Sequence, residues 1–178
     1  MRTLRRSLLL VPVAVLLAAC SAAPPATSTV PSVDVGRYLG TWYEVGSVKQ
    51  FFSVGLVNTT ARYSLLPSGA IRVENTGNYF SADGPLSRIV GTAVPVDPSN
   101  ARLNVSFTGS NGATPPGNYW IVDLDPDYQW AVVSDPTGRS GFLLSRTKTV
   151  SPALYQELLD RAAAKGVQIG GITPTPQF

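Results

Sequence analysis

Val57-Asn58-Thr59-Thr60-Ala61-Arg62-Tyr63-Ser64-Leu65, Pro67-Ser68-Gly69 and Ile71-Arg72-Val73-Glu74-Asn75-Thr76-Gly77-Asn78-Tyr79 read as two β-strands joined by a tight turn. Side chains alternate faces along a strand, so charge marks the wet face of each. In the first run Arg62 points to water, which turns Ala61, Tyr63 and Leu65 inward. In the second, Arg72 and Glu74 point out and leave Ile71, Val73 and Asn75 inward. The intervening residues supply a fixed φ and a position tolerant of positive φ, as a reversing chain requires.

The same rhythm continues in both directions. Thr41–Val48 precedes the pair, and Leu86–Val94, Arg102–Phe107, Asn118–Leu124, Tyr128–Ser134 and Phe142–Arg146 follow it. Pro, Gly, Asn and Asp clusters separate these runs. In the fifth strand Leu103, Val105 and Phe107 oppose Asn104 and Ser106. Later strands, such as Tyr119-Trp120-Ile121-Val122 and Trp130-Ala131-Val132-Val133, are apolar on both faces and need cover on both. That cover comes next. Ser151-Pro152 is an N-cap with Pro at the first helical position, and Gly166 is a C′ residue. Between them Leu154, Leu158 and Ala162 form one stripe, which packs a lone helix on the outside of the sheet and places Trp120 on the helix-covered side. The tail Gly170–Phe178 is extended and runs along an edge. Eight strands at this spacing suggest an up-and-down barrel or a sandwich.

The first 19 residues read as an address. Arg2, Arg5 and Arg6 form a positive n-region, and the apolar run Leu8–Ala19 is shorter than the roughly 20 residues of a bilayer span. Leu17-Ala18-Ala19-Cys20-Ser21 resembles the lipobox of bacterial lipoproteins, which implies cleavage before Cys20 and a diacylglyceryl group on its thiol. Residues 20–32, rich in Pro, Ala, Ser and Thr, form a tether, and residues 33–178 form the domain.

Composition removes much chemistry. The net charge of +3 equals those three leader arginines, so no basic footprint for nucleic acid remains. With no His, neither a Ser-His-Asp triad nor an imidazole metal site is available. A single Cys excludes an intrachain disulfide and every multi-Cys metal centre. No catalytic residue, metal ligand or cofactor site is assigned. Ser145-x-x-Lys148 straddles a strand end, where the helical spacing its chemistry needs is missing. Asp123, Asp125 and Asp127 lack the Gly and Glu of a calcium loop.

Arg37-Tyr38-Leu39-Gly40-Thr41-Trp42-Tyr43-Glu44 resembles the Gly-x-Trp signature that opens the first strand of lipocalins, in its bacterial lipoprotein form. Leu124-Asp125-Pro126-Asp127-Tyr128 resembles the family's second signature, with Leu124 where Thr is usual. Leu144-Ser145-Arg146-Thr147 resembles the third. The resemblance runs from about Val33 to Gly166. It implies an all-β fold: an eight-stranded antiparallel up-and-down barrel with one C-terminal α-helix packed outside. Gly40, Trp42, Asp125, Tyr128 and Arg146 would close one end, with Arg146 across the Trp42 indole and donating to the Val35–Leu39 turn.

The function that follows is non-covalent binding of a hydrophobic small molecule, a fatty acid or lysophospholipid, for storage or transport in the bacterial envelope. The membrane anchor is Cys20, in the outer membrane where the host has one and in the cell membrane otherwise. Lumen candidates are Glu44, Ala61, Tyr63, Ile71, Val73, Leu103, Val105, Phe107, Tyr119 and Trp130. Glu44 shares the face of Trp42: turned inward it meets a ligand headgroup or an internal Arg, and otherwise it forms a salt bridge at the rim. Two other classes compete: an envelope enzyme using Glu44 as a general acid, and a structural lipoprotein with a filled barrel.

Overall fold

The strands form where alternation and turn residues place them. A computed structural model describes residues 27–51, 53–109 and 112–178; the leader and Cys20 lie outside the described residues. A four-residue helix α1 (Val35–Tyr38) precedes β1 (Gly40–Val48), β2 (Leu56–Leu65), β3 (Ile71–Tyr79), β4 (Leu86–Pro95) and β5 (Arg102–Ser106). β6 (Tyr119–Leu124), β7 (Trp130–Ser134) and β8 (Gly141–Ser145) complete the meander, followed by α2 (Pro152–Ala164) and a short β9 (Ile172–Pro174). Tyr128 does not start β7 as expected: it takes a φ of 60° in the preceding turn. Phe107 and Arg146 lie just beyond the strands expected to include them.

Neighbouring strands pair antiparallel in sequence order. Closure comes from β1, which pairs with β8 on one edge and, through Gly40–Tyr43, with Tyr63–Thr60 of β2 on the other. Past Tyr43, β1 parts from β2, and the C-terminal tail fills the gap. Gly46, Ser47 and Val48 pair with Pro174, Thr173 and Ile172 of β9. Further along, the Asn58 amide donates to the Pro176 carbonyl at 2.8 Å. Gln177 Nε2 donates to the carbonyls of Glu44 and Thr59, both at 2.9 Å, and so bridges the parted strands. Pro174, lacking an N–H, is tolerated because this is a short edge element.

The chain buries two apolar clusters, one on each face of the sheet. Trp42, Tyr63, Ile71, Val73, Ala93, Leu103, Ile121, Ala131, Val133 and Leu144 belong to the inner one. Val45, Val122, Trp130, Val132 and Leu143 belong to the outer one, under Leu158 and Ala162 of α2. The Ser151 hydroxyl accepts from the Leu154 amide to cap α2, and Gly166, at φ 83°, ends it. Strand direction puts the turns at 66–70, 96–101 and 125–129 with α1 at one end, the base. Among the described residues, loops 49–51 and 53–55, 80–85, 107–109 and 112–118, and 135–140 form the other end, the mouth.

Candidate functional site

The base is closed by one guanidinium. Trp42 is fully buried, and its Nε1 donates to the Tyr38 carbonyl at 2.8 Å. Arg146 lies 3.8 Å from the Trp42 ring centroid and donates to the carbonyls of Arg37, Leu39 and Thr41 at 2.7–2.9 Å. Gly40, at φ 95°, lies against Arg146, and a Cβ there would sit 3.4 Å from its Nη1. In the opposing turn the Tyr128 hydroxyl accepts from the Asp34 amide, and the Asp125 carboxylate accepts from the Gln129 amide. Asp125 and Tyr128 are thus turn-forming groups at the base, remote from the mouth.

Above this base stands a tyrosine floor absent from the sequence reading. The Tyr119 hydroxyl meets the hydroxyls of Tyr38 at 2.8 Å and Tyr63 at 2.9 Å, inside the barrel. Burial favours the neutral phenols: it pushes Tyr63 up to about 12 and raises Tyr38 and Tyr119 above the ordinary tyrosine value. The voids beside this floor are small. One lies among Tyr63, Ile71, Leu103 and Val105, the other reaches down to Val33 and Ile121, and each has a volume of about 10 Å³. That is room for about one water molecule.

Toward the mouth the inner face opens. Antiparallel partners share a face, so Ile89, opposite Asn75, points inward, and it is 47 % exposed. Phe107 lies over Gly91: a Cβ there would come within 2.7 Å of its ring. Gly91 pairs with buried Val73, so the Phe107 ring stands on the inner side of the rim, 37 % exposed. Val105 is half-buried between rim and floor, its amide and carbonyl both held by the Asn118 side chain. Asn75 Oδ1 is buried without a hydrogen-bond partner. It offers an acceptor midway up an otherwise apolar wall.

Glu44 stands opposite Leu144 of the inner cluster, so its carboxylate faces inward. Its Oε1 accepts from Lys49 Nζ and Ser47 Oγ, both at 2.7 Å, and from the Thr175 hydroxyl of the tail. Lys49 also donates to Thr175. Lys49, Ser47 and Thr175 were not singled out by the sequence. Only the pairing of β9 with β1 brings Thr175 within reach of Glu44.

Of the ten lumen candidates, Ala61, Tyr63, Ile71, Val73, Leu103, Val105 and Tyr119 belong to the inner cluster or pack against it. Trp130 does not. It lies in the outer cluster beneath α2, with the Arg161 guanidinium 4.9 Å from its ring centroid. β7 is buried on both faces, so its composition cannot distinguish inside from outside; the register with β8 turns Ala131 and Val133 inward. Trp120 packs against the outer cluster, on the side α2 covers. Leu65 sits at a strand end, 58 % exposed.

The catalytic patterns dissolve in the geometry. Lys148 Nζ donates to the Phe178 carbonyl at 3.1 Å, while Ser145 Oγ contacts the Thr147 hydroxyl. Asp123 Oδ2 pairs with Arg161 of α2 at 3.3 Å. Among the described residues no group of three or more acidic or Cys side chains is placed to hold a metal ion.

An antiparallel barrel closed at one end by a Trp–Arg pair, open at the other and carrying one external helix, defines a calyx. A family model for the lipocalin-like domain matches residues 33–177. The outer membrane lipoprotein Blc of Escherichia coli K12 is 36% identical over 159 residues, covering 88% of this chain and 87% of that protein. Mouse apolipoprotein D is 31% identical over 160 residues, covering 86% and 82%. Among solved structures, the cockroach allergen Per a 4 superposes with a TM-score of 0.60 at 17% identity, over 89% of this chain and 95% of that one. The chain belongs to the lipocalin family.

Proposed function

We propose that the chain is an envelope lipoprotein that binds a fatty acid or lysophospholipid in the upper half of its barrel. The observation that carries this is the inner wall between the tyrosine floor and the rim. It is apolar, solvent-reachable at Ile89 and Phe107, and among the described strands Glu44 is its only charged side chain. An acyl tail leaving water for this wall gains about 25 cal/mol per Å². The polar head stays at the mouth, where Lys49 supplies a partly exposed ammonium. Similarity to an outer membrane lipoprotein supports placement in the envelope, with Cys20 as the lipidated residue. Cys20→Ala should leave the chain unprocessed and without the diacylglyceryl mass.

Glu44 as a general acid fits poorly. Its Oε1 is engaged by three donors, two of them hydroxyls, and so acts as a structural acceptor. A structural lipoprotein with a filled barrel is favoured by one observation: the two voids beside the floor hold only about 10 Å³ each. Native mass spectrometry of the protein purified from its own host, followed by lipid extraction, separates the readings. A stoichiometric bound lipid is expected. A chain with no adduct, and no uptake of added fatty acid, supports the filled barrel.

A further inference from the structure

The N-terminal arm shows which end of the barrel its lipid anchor would occupy. The Val33 amide donates to Ser99 in a turn at the base, and the Val30 amide donates to Ile121 in β6. The Ser28 amide then reaches the Lys165 carbonyl, beyond α2. Thr27 lies against Gly138 in the loop between β7 and β8, where a Cβ would sit 2.8 Å from its hydroxyl. The arm therefore runs from the base, past the middle of β6, to the mouth. Cys20 is seven residues before Thr27, a reach of at most about 25 Å.

The same end presents an apolar rim. Phe51 is 92 % exposed, Phe80 80 %, Leu86 67 % and Val54 60 %. Two of the mouth loops are joined: the Phe80 amide donates to the Gly55 carbonyl at 2.7 Å, and its ring covers Gly55, where no Cβ would fit. The four mouth loops, 49–55, 80–85, 107–118 and 135–140, hold four ionisable side chains, Lys49, Asp83, Asp135 and Arg139; Lys49 is turned to Glu44, and the Asp135 carboxylate accepts from the Thr137 and Ser140 amides of its own loop. The base differs, with Asp34, Arg37, Asp97, Asp125, Asp127, Arg146 and Lys148 in its turns. Large exposed apolar patches mark interaction sites, and here the anchor arm and the patch lie at one end.

We infer that the rim formed by Phe51, Val54, Phe80 and Leu86 docks on the bilayer that holds the chain's own anchor. The mouth then opens onto lipid, and a ligand passes between bilayer and barrel without crossing bulk water. This rests on Cys20 being lipidated and on the calyx being a lipid site. A second copy of the chain is the other apolar occupant the test must separate.

The test uses the mature protein with Phe80→Cys, labelled with an environment-sensitive fluorophore, in phosphatidylethanolamine–phosphatidylglycerol vesicles. Ser68→Cys, on a turn at the base, is the control, and Leu86→Cys repeats the measurement at a second rim position. Docking predicts blue-shifted emission and several-fold weaker iodide quenching at positions 80 and 86, with position 68 unchanged. Rim labels as open to iodide as position 68 overturn it, even with the anchor in place. Shielding without vesicles, in a species of twice the mass, overturns it in favour of self-association. Intact mass tests the anchor separately. If the diacylglyceryl group is missing, Cys20→Ser removes the spare thiol and the same labels are read on vesicle addition: a shift still supports the rim, and none overturns it.

Discussion

Arg146 serves two neighbours at once, which makes its contribution separable by mutation. Its planar fork satisfies carbonyls around the end of α1, while its face covers the Trp42 indole. Trp42→Ala should cost about 3–5 kcal/mol, because a fully buried aromatic leaves a cavity. Arg146→Ala should cost less, about 1–3 kcal/mol, since water can replace some of its donors. In chemical denaturation the double mutant should lose about 0.5–2 kcal/mol less than the sum of the singles. Strict additivity would mean that the ring and the guanidinium do not interact. This pair was readable because its signatures are local. The tyrosine floor was not: Tyr38, Tyr63 and Tyr119 come from α1, β2 and β6, and no spacing in the chain announces their meeting. The floor should show itself in pH dependence. A tyrosine whose folded pKa is raised contributes stability that is fully present below the unfolded value of about 10. That contribution is lost as pH rises through the folded value, about 12 for Tyr63. Stability should therefore fall between about pH 10 and 12, and Tyr63→Phe should flatten that fall. An unchanged slope would show that Tyr63 titrates alike in both states.

Two elements outside the meander hold it in opposite ways. α2 covers the outer apolar face, and its fully buried Leu158 is the residue on which that cover depends most. Leu158→Ala should cost about 2–5 kcal/mol and lower the denaturation midpoint without abolishing binding, because the helix packs on the outer cluster. The tail acts through polar groups. Thr175 and Gln177 tie Glu44, Lys49 and the parted strands β1 and β2 into one wall. Thr175→Val keeps the shape but removes the hydroxyl shared by Glu44 and Lys49. It should weaken binding of a charged-head lipid while barely changing affinity for a neutral one, as read by competition titration. Equal effects on both would assign the tail a purely structural part. The helix was legible from its Ser-Pro start, its stripe and Gly166. The tail was legible as extended and lying along an edge, but not which edge: its partner depends on β1 leaving β2 past Tyr43, an irregularity that alternation does not encode.

For the whole molecule, the inner wall, the floor and the mouth together fix how deep a ligand can go. The sequence distinguished inner from outer where one face carries charge, as in β2 and β3, and could not do so in β7, where Trp130 proved to face α2. Trp42, beneath the floor, and Trp130, outside the barrel, are therefore poor reporters, and binding is better followed by displacement of a fluorescent fatty acid. If the proposed lipid enters the barrel, the tyrosine triad would stop its acyl tail, so affinity should rise with chain length and then level off once the tail meets the phenol rings. Val105 lies between rim and floor, in the path of that tail. Val105→Asp places an unpaired charge against it, a penalty of several kcal/mol, and should abolish binding in a protein whose circular dichroism is unchanged. Val105→Trp obstructs at a set depth instead, so it should reject long chains first and short ones less. Affinity indifferent to chain length in the unaltered protein would place the ligand outside the barrel. Loss of long and short chains alike in Val105→Trp would mean that the obstruction lies at the entrance rather than midway down the wall.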